Sequence, residues 1–158
     1  MSDIWTAERK AIAQATCDKW HGTKHRNRMC QVGVGVDCIQ FVNEVLADAG
    51  IIERTSFGSY DVTDGTHNVS LRLSKAISFA LDVESVAIPS VQFGDLAIFR
   101  TGTRSGHVGF CGENVIWHSL AGQCVTKSLF NLWRHEIEFL YRIKSIGLKN
   151  SPQIAAKL

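Results

Sequence analysis

The 158-residue chain has no run of about 18 apolar residues, so no transmembrane helix and no membrane insertion are expected. It has no C-x-x-C pair. Its five cysteines, Cys17, Cys30, Cys38, Cys111 and Cys124, are odd in number and widely spaced. Neither a zinc ribbon nor a thioredoxin-type site is supported, and scattered cysteines of this kind read as reduced thiols. There is no large excess of one charge. The net charge of +2 implies no nucleic-acid specialisation, although Lys24, Arg26 and Arg28 form a short basic run. Repeats, low-complexity tracts and a convincing linker are lacking. The first ten residues mix acids and bases without an apolar core, unlike a secretory signal. The expectation is a protein that is cytoplasmic when made.

Apolar residues make up 45% of the chain and charged residues 20%, the balance of a globular domain. One domain is expected over residues 1–146, followed by a ragged tail over 147–158. The chain is organised around Gly35-Val36-Asp37-Cys38-Ile39-Gln40-Phe41-Val42. Phe41, Val42, Val45, Leu46 and Ala49 follow Cys38 at helical spacing and form one stripe. Asp37 is a suitable N-cap, Gln40 completes a capping-box pattern, and Gly50 closes the helix. Cys38 is thus expected at a helix N-terminus, where the dipole favours thiolate and lowers the thiol pKa. The alternative is a buried structural cysteine.

A first helix is expected over residues 3–20, with Ile4, Trp5, Ala11, Ile12 and Ala15 as its apolar face. Residues 23–36 read as a loop and 56–68 as a polar surface loop. Leu71, Leu73, Ala76, Ile77, Ala80 and Leu81 suggest another helix. Beyond Pro89 the pattern turns to short strands at 96–99, 107–111 and 115–118, with a hairpin-like loop over 102–106. Val125 opens a fourth strand, and Leu129 to Trp133 form a short cover. Ile137, Phe139, Tyr141 and Ile143 alternate as a last strand. Helices first and antiparallel strands after give an α+β layout, with helices packed on one side of a sheet.

A thiol nucleophile needs a base, and the base needs an orienting group. His107 opens one strand and His118 ends the next. Antiparallel pairing brings both rings to one edge, and Cys38 on a helix packed there completes a Cys-His-His set. His107 is the expected base and His118 the group that orients it. Read singly, each histidine is more often a surface or half-buried polar residue making one hydrogen bond. A metal site is disfavoured, because no carboxylate or second cysteine falls at ligand spacing. No metal and no cofactor are expected.

These residues resemble the NlpC-type cysteine peptidases of bacterial cell-wall turnover, a branch of the papain-like fold. The resemblance rests on four ordered blocks: Asp37-Cys38 with Phe41-Val42, Gly94-Asp95-Leu96, His107-Val108-Gly109, and Ile116-Trp117-His118. Gly22-Thr23-Lys24-His25-Arg26 ahead of Gly35-Val36-Asp37-Cys38 is similar to the phage-associated subgroup. There His25 falls where the family has a tyrosine lining the oxyanion region, and Ile39-Gln40 replaces the usual Ser-Gly.

The resemblance implies a cysteine endopeptidase acting on the peptidoglycan stem peptide, at the γ-D-glutamyl to diamino-acid bond. It implies Cys38, His107 and His118 as catalytic residues. His25, Asp37, Arg26 and Trp117 are the oxyanion and substrate candidates. The expected partners are the stem peptide and phage tail or delivery proteins, with virion association or another non-Sec route to the wall. Two alternatives stand: an acyltransferase or amidase on another substrate, and a catalytically altered module serving a phage tail as a structural or binding part.

Overall fold

The computed structural model describes residues 3–54, 69–100 and 106–150. The loops expected over 56–68 and 102–106 lie outside these residues, apart from Gly106. No helix among the described residues is long and apolar enough to cross a membrane.

Thr6 starts the first helix, α1 (Ala7–Trp20), by accepting the Arg9 backbone N–H at 3.3 Å. The helix begins later than residue 3 because the Asp3 carboxylate accepts the Trp5 N–H and holds a turn there. Trp5 is sent into the core, edge-on to Phe93 and Phe110 at 5.3 and 5.5 Å. α1 buries Ala13, Thr16, Cys17 and Trp20, while Ala11, Ile12 and Ala15 face solvent. This corrects the expected face. The Trp20 indole is the largest apolar side chain of the helix, and its burial sets which face turns inward.

A two-stranded hairpin, β1 (Cys30–Gln31) and β2 (Gly35–Val36), leads into α2 (Cys38–Asp48). Phe41, Val42, Val45 and Leu46 of α2 are buried, as the stripe predicts. α1 and α2 are pinned by Thr16 Oγ1 donating to Asp48 Oδ2 at 2.9 Å. Arg54 also pairs with Glu44 and Asp48 on the exposed side. α3 (Val69–Ala80) follows.

The sheet comprises β3 (Val83–Ser85), β4 (Leu96–Phe99), β5 (His107–Cys111), β6 (Val115–Ser119), β7 (Val125–Leu129) and β8 (Ile137–Ile143). Its order is β3-β8-β4-β5-β6-β7, with antiparallel pairing throughout. Five of these strands match the sequence reading. β3 escapes it because three residues, two of them polar and exposed, carry no alternation. The chain returns from β7 through the short helix α4 (Phe130–Trp133) to insert β8 between β3 and β4.

One face of the sheet carries Leu96, Ile98, Val108, Phe110, Trp117 and Ile143 into the core formed with the long helices. The other carries Ala97, Phe99, Cys111, Ile116, Ile137 and Leu140, covered by Phe130, Trp133, Ile88 and Val91. The expected alternation of β8 fails at one point. Ile98 pairs with Phe139 but Phe99 with Ile137, leaving Glu138 as an extra residue. The bulge moves Ile137 to the face of Phe99, opposite Phe139 and Tyr141. The start of the tail is not ragged either. The Gly147 and Lys149 N–H groups donate to the Ile51 and Ala80 carbonyls, each at 2.8 Å.

The turn before β4 locks the N-terminus to the sheet. The buried Asp95 carboxylate accepts from the Gln92 N–H and from Nε and Nη2 of Arg142 on β8. Gly94 has φ +90°, and a Cβ there would lie 1.9 Å from the Trp5 indole nitrogen. Gly94→Ala is expected to lower stability by about 3 kcal/mol, from overpacking added to left-handed strain. Gly122→Ala, at φ +76° with open space around it, should cost about 1 kcal/mol. Urea unfolding of the two variants checks the difference.

Candidate active site

Asp37 is buried and uses both carboxylate oxygens. Oδ1 accepts the Gln40 N–H and Oδ2 the Arg28 N–H, each at 2.9 Å. The first bond caps α2. The second ties the preceding loop to the cap, with Arg28 in a left-handed conformation at φ 60°. Asp37 is therefore a brace beneath the start of α2, its carboxylate held by backbone N–H groups from both sides.

Cys38 is the first residue of α2. Its Sγ donates to the Gly106 carbonyl at 3.8 Å, and the Val108 N–H approaches it from the same stretch of β5. The N–H groups of Cys38 and Ile39 also favour thiolate, as a helix start should. Burial outweighs them. Together with the charge of Asp37 it pushes the thiol up to about 12. The expected lowering of the thiol pKa is thus reversed into a rise.

The two histidines meet directly. Phe110 pairs with Trp117, so one step along the ladder His118 faces Gly109 and lies diagonal to His107. His107 Nε2 lies 2.9 Å from His118 Nδ1. On the other side of the second ring, His118 Nε2 lies 2.9 Å from Ser128 Oγ. Phe99 packs against both rings, and Trp133 stands edge-on to His118 at 4.8 Å. Burial, with smaller effects from His118 and His25, holds His107 down at about 3. Burial holds His118 down at about 4. Both rings are neutral at pH 7.

The thiol and the histidine pair share the Gly106–Val108 strand end. The thiol's hydrogen bond goes to the Gly106 carbonyl, and the His107 Nε2 contact goes to His118.

His25 stands beside this strand end. Ser119 Oγ donates to the Val36 carbonyl at 2.8 Å, so it accepts from His25 Nδ1 at 2.9 Å. Nδ1 also reaches the Ser119 carbonyl, and Nε2 faces Asn27 Oδ1 at 3.3 Å. Both ring nitrogens are engaged, so the ring offers no free N–H to an oxyanion. Arg26 has an exposed side chain whose aliphatic part lies over Gly35, two residues before Asp37. Trp117 does not line a groove. It points to the sheet face opposite His118 and is 1% exposed within the helix-side core. Strand alternation explains this, since residues 117 and 118 cannot share a face.

Ser128, Ser119, Phe99 and Trp133 escaped the sequence reading. A serine on an amphipathic strand carries no signal of its own. Only the position two residues beyond Thr126, which pairs with His118, would have drawn attention to Ser128.

No family model matches the chain, and no curated protein matches it. Solved structures do. A protein similar to a lipoprotein of the NLP/P60 family from Staphylococcus aureus is 18% identical, with a TM-score of 0.57. The match covers 87% of this chain and 42% of that one. NlpC2 from Trichomonas vaginalis is also 18% identical, with a TM-score of 0.56, over 90% of this chain and 48% of that one. The chain has an NlpC-type fold and spans less than half the length of these neighbours.

The buried imidazoles make stability depend on pH. Both are held below the ordinary value of 6.5, at about 3 and about 4. Between pH 6.5 and 4 the unfolded chain binds protons that the folded chain refuses. Their contribution is fully present above pH 6.5 and is lost as the pH falls through this window. Each ring should add a slope of up to about 1.4 kcal/mol per pH unit. Urea midpoints measured across the window should fall steadily, and His118→Gln should roughly halve the slope by removing one of the two rings.

Proposed function

We propose that the protein is a thiol hydrolase of the peptidoglycan stem peptide, with Cys38 as nucleophile and His107 as base on an NlpC-type fold. The observation that carries this reading is the thiol at the start of α2 against the strand end that bears the His107–His118 pair. His107 Nε2 is taken up by His118, which leaves Nδ1 as the nitrogen to receive the thiol proton. The sulfur turns from the Gly106 carbonyl, gives its proton to Nδ1 and attacks the acyl carbon. The Cys38 and Ile39 N–H groups at the helix start, which favour negative charge on the sulfur, are donors for the developing oxyanion. The imidazolium then protonates the leaving amine, and water, deprotonated by the same ring, releases the acid. A neutral thiol and a neutral imidazole at rest make proton transfer part of the attack.

The bond proposed is the γ-D-glutamyl to diamino-acid amide. Arg26, exposed over Gly35 ahead of the start of α2, has the guanidinium fork that suits the free carboxylates of such a stem. Delivery as a phage tail component fits a hydrolase whose substrate lies outside the cytoplasm.

A second reading is a module that binds the stem peptide without cutting it. It is favoured by one observation, the thiol held up at about 12 and bonded to a carbonyl. Digestion of purified peptidoglycan, with fragments identified by mass, separates the two. Under the hydrolytic reading L-Ala-γ-D-Glu-diaminopimelate releases the diamino acid, and Cys38→Ala releases none. His107→Ala should lose about a thousand-fold in rate and His118→Gln about ten- to a hundred-fold, because the first moves a proton and the second only orients. Saturable binding of wall fragments without product from wild type would replace hydrolysis by the second reading.

A further inference from the structure

His118 is fully buried, and its two ring nitrogens meet two polar atoms, His107 Nε2 and Ser128 Oγ, each at 2.9 Å. The three residues lie on one face of three adjacent strands. Ser128 pairs with Ile116 and is diagonal to His118, as His107 is diagonal on the other side. The row therefore runs across β5, β6 and β7 in a single direction and ends on a half-buried hydroxyl.

A row of this kind has two polarities. In one, His107 Nε2–H donates to His118 Nδ1, and His118 Nε2–H donates to Ser128 Oγ. His107 Nδ1 is then bare. In the other, Ser128 O–H donates to His118 Nε2, His118 Nδ1–H donates to His107 Nε2, and His107 keeps its proton on Nδ1. Only the first leaves His107 able to take a proton from a thiol. A hydroxyl can donate or accept, so Ser128 is compatible with both, but the base role of His107 requires the first, in which Ser128 Oγ is the acceptor.

We infer that Ser128 is a positioning residue, accepting the His118 Nε2 proton and so holding His118 and His107 in the tautomers that expose His107 Nδ1. A hydroxyl suits this task where a carboxylate would not. It accepts a hydrogen bond without drawing a charged imidazolium into the apolar pocket of Phe99 and Trp133. Both rings stay neutral, in keeping with their depressed proton affinity. No proton leaves the row when His107 is charged, since only the Cys38 proton moves, to Nδ1. The inference deepens the reading of Cys38 and His107 as nucleophile and base and rests on it.

The test uses the whole chain labelled with ¹⁵N-histidine, as wild type, Ser128→Ala and Ser128→Thr. Long-range ¹H–¹⁵N spectra at pH 7 should show both His107 and His118 as Nε2–H tautomers in wild type and in Ser128→Thr. In Ser128→Ala both rings should shift toward mixtures with Nδ1–H. In parallel, chloroacetamide alkylation of Cys38 should slow about ten-fold in Ser128→Ala, and Ser128→Thr should restore it to within about two-fold. Nitrogen shifts in Ser128→Ala identical to wild type overturn the inference whatever the rate. Nδ1–H on His107 in wild type overturns it as well. His107→Ala serves as the separate control. If it alkylates as fast as wild type, the nucleophile-base reading fails, while the nitrogen shifts still decide what Ser128 holds.

Discussion

The packing of the α2 stripe against the sheet is the contact on which the rest depends. Phe41, Val42, Val45 and Leu46 lose almost all their exposure there, and each such side chain contributes about 1.5–3 kcal/mol. The helix that supplies this burial also begins with Cys38, so the same contact that holds the fold presses the thiol onto the end of β5. Asp37 makes the arrangement definite. Its two oxygens satisfy one N–H of the helix start and one of the preceding loop, fixing where the chain turns into α2.

That burial also sets the chemistry of the site at rest. A helix N-terminus alone stabilises a thiolate by a modest amount, typically about 0.3–1 kcal/mol and up to about 2. Removing the sulfur from water works against the charged form and wins here. The imidazoles obey the same rule with the opposite direction of shift, down instead of up. Cys38, His107 and His118 are thus all neutral at rest.

The sheet's two faces divide the labour. The helix-side face is apolar almost throughout, and Trp117 belongs to it. The opposite face carries the polar row of His107, His118 and Ser128 beside Phe99 and Trp133. α4, a single turn between β7 and β8, supplies the Trp133 ring that stands against His118. Cover for the polar row thus comes from the segment that the sequence reads as a short cover.

Periodicity in the sequence by itself determined α2, its cap at Asp37, the succession of helices then strands, and the candidacy of Cys38, His107 and His118. These are local properties: a stripe at 3.6 residues, a capping side chain, and histidines at strand ends. Tertiary structure decided what locality cannot reach. Trp20 won the face of α1 over Ile12 because it buries more area, and the bulge at Glu138 reversed Ile137 because two strands had to fit together. Ser128 joined the histidines only through the β6–β7 register, and the proton affinities of Cys38, His107 and His118 followed from burial contributed by many distant residues. Desolvation and cross-strand register depend on the whole packed chain, and no window of neighbouring residues encodes either.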